Sequence, residues 1–161
     1  MSAHEEIAEL LGEIAKTRAL LEKHRAYYLE FQRTDLATLG RKTATAIVMA
    51  ELHCDFYTCV ETLFLRVSQF FENNLAKDRW HQDLLRKMTL GVEGIRPAVV
   101  RDETASLLGE ILRFRHFKRY YFEFDYDWDR LDYVQKKYEQ VYSMLLVDLQ
   151  AFENFLRQVE N

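Results

Sequence analysis

Proline occurs once, at Pro97, and glycine only five times in 161 residues. A chain so poor in turn formers has little room for the many tight connections of a sheet protein, and long helices remain. The two cysteines, Cys54 and Cys59, lie five apart in an apolar helical pattern with no further Cys to complete a finger or ribbon. They read as core thiols, in keeping with a reducing compartment. No apolar run approaches the roughly 18 residues of a membrane span, and the first residues lack the charged start, apolar stretch and cleavage site of a signal peptide. A soluble cytoplasmic protein is the expectation. A broad basic excess is missing too. The net charge of -4 excludes a surface that coats nucleic acid indiscriminately and leaves room only for a local basic site.

What is present is apolar and aromatic. Hydrophobic residues make up 48% of the chain, with nine Tyr and eleven Phe, which excludes a disordered segment. The length fits one domain, 1–161, with a real core.

Ser2 with Glu5 matches a capping box, and Ile7, Leu10, Leu11, Ile14, Leu21 and Tyr28 recur at helical spacing to about residue 32. Thr34, Asp35 and Gly40 predict a break over 34–40. A second helix follows from about 41, with an apolar band from Ile47 to Phe71 wide enough for burial on more than one side. A short helix is predicted from Trp80 to Leu90, with Trp80, Leu84, Leu85 and Met88 inward. Asp78, which can cap it, precedes His81 by three residues, but the paired Glu-x-x-His motifs of di-iron bundles are absent, so no metal carboxylate site is expected. Residues 91–101 form the one true loop. Asp102 starts a third long helix, and Asp127 caps a last one whose Leu131, Val134, Tyr138, Val141, Leu145, Leu149, Phe152, Leu156 and Val159 make a bundle seam. Phe122 to Trp128, aromatics interleaved with acids, reads as a packed connection, because its acids would repel phosphates. The fold class is all-α, an antiparallel four-helix bundle with one additional short helix.

The third long helix ends in a reversal of sign. From Arg113 to Arg119 five of seven residues are basic or imidazole-bearing, within an acidic protein. Thr104, Leu108, Leu112, Arg115 and Arg119 follow one face, so its apolar stripe turns cationic at Arg115. His116 stands beside Arg119 and Tyr120 at helical spacing. One turn gathers guanidinium groups, an imidazole and a phenol, which suits holding a phosphate and moving a proton. The plain alternative is that these cations pair with acids of neighbouring helices, or favour the negative end of their own.

Three stretches carry a likeness to a known family. They are Trp80-His81-Gln82-Asp83-Leu84-Leu85, Ile95-Arg96-Pro97-Ala98-Val99-Val100 with Glu103-Thr104-Ala105, and Phe114-Arg115-His116-Phe117-Lys118-Arg119 followed by Tyr121, Asp125 and Leu131. In these, and in its helix order over roughly residues 45 to 157, the chain resembles the HEPN superfamily, specifically the HepT-like ribonuclease toxins that partner minimal nucleotidyltransferases. The resemblance implies a HEPN-like bundle, a homodimer, a nucleotidyltransferase antitoxin, an RNA substrate and metal-independent cleavage without a cofactor. The family's pattern is Arg, four to six residues, His, then Tyr two places on. Here Arg115 fills the Arg position, Tyr120 stands where the His belongs, and Phe122 stands at the Tyr. A phenol with its usual pKa of about 10 is a poor base at neutral pH. His116, which in the family accompanies the motif without being its base, is the nearby substitute, so the candidate catalytic residues are Arg115, His116 and Tyr120. Arg113, Lys118 and Arg119 are assigned to phosphate or RNA, and Tyr121 to modification by adenylylation. Arg18 and His24 satisfy the same loose spacing, but without the flanking motif they read as chance.

Two other readings stay open. One is a catalytically silenced HEPN module that binds a nucleotidyltransferase partner or a nucleotide. The other is a structural helical adaptor in which Arg115 and Arg119 are consumed by internal salt bridges to Asp125, Asp127 or Asp129.

Overall fold

The computed structural model describes residues 2–72, 78–120 and 127–161, with Tyr120 described by its backbone alone. It is an all-α bundle: α1 (Ala3–Phe31), a π-helical turn (Gln32–Leu36) continuing into α2 (Ala37–Leu39), α3 (Thr43–Phe71), α4 (Trp80–Met88), α5 (Asp102–Tyr120) and α6 (Trp128–Glu160). The Ser2 side chain accepts from the Glu5 amide while Glu5 reaches back to the Ser2 amide, so the predicted capping box starts α1. Asp127 caps α6 by accepting from the Asp129 amide. The predicted break over 34–40 is displaced. The chain stays helical to Leu39, because the Thr34 hydroxyl donates to the Glu30 carbonyl inside the helix, and it leaves only at Gly40 with φ 75°.

Cross-helix pairs give the directions. His4, Arg18 and Arg25 on α1 meet Glu160, Glu153 and Glu139 on α6, in reversed order. Thr104 and Phe117 on α5 meet Asp148 and Arg130 on α6 likewise. Thus α1, α3, α5 and α6 form an antiparallel four-helix layer around one core, with α3 also meeting α6 across it, and α4 lies over α3 and α5. The core holds Phe56, Phe64, Tyr28, Tyr138 and Phe152, all nearly without exposure. It also contains a polar layer: His53 is fully buried between Tyr28, Tyr138 and Phe114.

The loop after α4 is pinned by one side chain. Arg96 is buried and donates to the carbonyls of Leu90, Pro97 and Lys87 while pairing with Glu72 at the end of α3. The amides of Val99 and Val100 close onto the Met88 carbonyl. Backbone that lacks a helix's own hydrogen bonds is thereby satisfied, and α4 is held in register against α3 and α5.

Candidate functional site

The site is built where α4 and α3 face the cationic end of α5. Along α5, Thr104, Leu108 and Leu112 are buried in sequence, and the next residue of that stripe is Arg115. Its side chain is 18% exposed, so the guanidinium is committed inward. It donates to both oxygens of Glu61, at 3.0 and 3.1 Å, and to the Thr58 hydroxyl at 3.0 Å, and it lies 4.8 Å over the Tyr57 ring. Burial, then the Glu61 charge, pushes the Tyr57 phenol up, with Arg115 opposing.

His81 completes the cluster from α4. Its Nδ1 is 2.8 Å from Glu61 Oε2 and 3.1 Å from the Arg115 guanidinium. An imidazole lone pair at 2.8 Å from an ionised carboxylate would be repelled, so Nδ1 carries a hydrogen donated to Glu61. The short approach to Arg115 is then two donors sharing one acceptor. Glu61 is 8% exposed and His81 33%, and the Trp80 ring packs with its centroid 3.7 Å from the imidazole's, tilted 31°.

A pocket of about 360 Å³ opens between α3 and α5, lined by Cys54, Arg115, Lys118 and Arg119. Lys118 pairs with Glu51 on α3. Burial raises the Asp55 carboxyl, and the neighbouring Glu51 charge adds to it. Burial also pushes the Cys54 thiol up to about 12, so it is a protonated, weakly nucleophilic wall of the pocket. Cys54 is buried and Cys59 half-buried, both as free thiols.

The predicted site residues therefore separate. Arg115, Lys118 and Arg119 converge on the pocket. Arg113 is exposed and pairs with Glu110 on its own helix. His116 is exposed and is not among the residues lining the pocket. Tyr120 ends α5 with its side chain undescribed, and Tyr121, Phe122 and Asp125 lie outside the described residues. The acid that receives Arg115 is Glu61, from the helix opposite, while Asp127 is occupied in capping α6.

Sequence reasoning missed Glu61, Thr58 and the role of His81. The usable signal was Glu61 itself. It is a carboxylate on the stripe of Tyr57, Phe64 and Ser68, which face the core, and such an acid requires a cation from another helix. Asp78, the acid nearest to His81 in sequence, is exposed, and the imidazole turns to Glu61 instead. Among the described residues no group of three His, Cys, Asp or Glu side chains is placed to hold a metal ion. No helix there is long and apolar enough to cross a membrane.

This helical bundle, which turns a cationic patch inward at the end of α5, is a HEPN-type module. The family model for HepT-like protein matches residues 44–156, which span α3 through most of α6, and the chain belongs to that family. Comparison with curated proteins and with solved structures finds no match.

Proposed function

We propose that this chain is the ribonuclease subunit of a toxin-antitoxin pair, acting as a homodimer that cleaves RNA without a metal ion and is held in check by a minimal nucleotidyltransferase. The observation that carries this reading is the pocket on which Arg115, Lys118 and Arg119 converge within an otherwise acidic protein. Guanidinium groups recognise phosphate oxygens by paired hydrogen bonds, and a fixed one stabilises the charge that grows on a phosphoryl group under attack. Arg115 is fixed by Glu61, Thr58 and Tyr57, so it needs no reordering when the phosphate arrives. Doubling the patch across a two-fold axis would concentrate positive potential that one copy holds weakly. Tyr120 and Tyr121 are the phenols near the motif that the partner could adenylylate.

Purified protein incubated with mixed RNA in the presence of a chelator should leave 2′,3′-cyclic phosphate ends. Arg115→Lys, which keeps the charge but not the fork, and Arg119→Ala should both reduce the rate. Intact RNA after incubation with well-folded wild type counts against cleavage. It would favour the silenced module, a reading supported by Tyr120 at the histidine position and by the neutralisation of Arg115 by Glu61.

A further inference from the structure

A carboxylate, an imidazole and a guanidinium meet at one point, and only the guanidinium comes from the helix that carries the family motif. Resting on the ribonuclease reading above, we propose that His81 is the general base of RNA cleavage and that Glu61 positions it, so that α4 supplies the proton-moving group that α5 lacks at Tyr120.

Four observations carry this assignment. The Nδ1 hydrogen is bound to Glu61, which leaves the lone pair of the neutral ring on Nε2. Among the described residues nothing bonds Nε2, and a third of the side chain is open to solvent, so a substrate hydroxyl can reach it. Glu61 is buried and fixed by Arg115, so it holds the ring's tautomer and orientation and faces the positive charge that proton uptake creates, the role of the carboxylate behind a catalytic histidine. Finally, Arg115 connects the two groups: its guanidinium lies 3.1 Å from the Nδ1 edge of the ring and is also one of the residues lining the pocket, although His81 itself is not. Among the described residues the charged groups in contact with His81 are Glu61 from α3 and Arg115 from α5; Trp80 on its own helix packs on the ring face.

In the reaction, Nε2 takes the proton of a ribose 2′-hydroxyl and the 2′ oxygen forms a bond to phosphorus. The bond from phosphorus to the 5′ oxygen of the next nucleotide breaks, and that oxygen takes a proton from solvent. The imidazolium then returns its proton to solvent. The products are a 2′,3′-cyclic phosphate and a 5′-hydroxyl, with no change of oxidation state.

The test follows cleavage of a short RNA in chelator by the full chain and by His81→Ala, Glu61→Gln, His116→Ala and Arg115→Lys, each with its melting temperature measured. His81→Ala should lose about 10²- to 10⁴-fold in kcat with KM little changed, and added imidazole should restore part of it. Glu61→Gln should lose less and displace the acid limb of the pH–rate profile, which a purely structural role would leave in place. If His81→Ala fails to fold, His81→Gln carries the same prediction. A folded His81 variant that cleaves at the wild-type rate overturns the proposal, the more so if His116→Ala is the inactive one, and leaves the ribonuclease reading standing. Intact RNA with the wild type overturns both together.

Discussion

Cutting the bond between Arg115 and Glu61 should destabilise the protein as well as alter its chemistry. The two side chains are 18% and 8% exposed, well below the exposure of a surface ion pair, and Glu61 also receives the His81 hydrogen. Arg115→Ala leaves a buried carboxylate with an imidazole as its remaining described donor, and Glu61→Ala leaves a half-buried guanidinium whose described acceptor is the Thr58 hydroxyl. Breaking a buried pair from one side costs about 3–5 kcal/mol. In a domain of this length that corresponds to a fall of about 6–20 °C in Tm. Replacing both partners, as Glu61→Leu with Arg115→Met, should recover most of the loss, because both desolvation penalties disappear together. Urea denaturation of the wild type, the two single variants and the double variant closes the cycle. Single losses below about 1 kcal/mol, the range of an exposed pair, with no coupling would refute the inward commitment of Arg115.

Two further perturbations test the core and the helix ends. Burial, and then the nearby His24, hold His53 down at about 3 against an ordinary 6.5. The unfolded chain therefore takes up a proton as pH falls through 6.5 while the fold does not until about 3, and the stability present at neutral pH is lost across that window. The slope approaches about 1.4 kcal/mol per pH unit, and His53→Leu should flatten the dependence of the urea midpoint on pH; equal slopes would count against it. Gly40→Ala forces a side chain onto φ 75° and ψ -173° and should cost about 1–3 kcal/mol. Gly12→Ala on the open face of α1, with nothing within 4 Å, should gain about 1 kcal/mol. Thermal melts that move both variants in the same direction would sink that contrast.

Local chemistry was legible in the sequence, and distant pairing was not. The capping box at Ser2, the cap at Asp127 and the seam of α6 from Leu131 to Leu156 each depend on residues within a turn or two of one another, whereas Val159, read into that seam, is exposed where the helix runs past the core. The cationic end of the α5 stripe was visible for the same reason. The wide turn after α1 misled, since Thr34 and Asp35 are helix starters by preference, yet Thr34 satisfied its hydroxyl within the running helix. Glu61 is 54 residues from Arg115 and His81 is 34, so their meeting is a property of how α3, α4 and α5 pack. Periodicity places each on its own helix face and says nothing about which faces meet.

On the proposed reading, that packing decides how the pocket would recognise a phosphate. Glu51 and Glu61 oppose Lys118 and Arg115, so the patch offers less net charge than its sequence suggests. Attraction at long range is correspondingly reduced. What is gained is order: an unpaired arginine would sweep many rotamers, whereas this one is held by a carboxylate, a hydroxyl and an aromatic face. A fixed donor contributes to a transition state without the reorganisation that solvent or a mobile side chain must undergo. Glu61 therefore weakens the pull of Arg115 on any anion and, with the same two oxygens, fixes the direction of both the guanidinium and the imidazole. A site that only captured phosphate would be served better without it; a site that moves a proton beside a phosphate has a use for it.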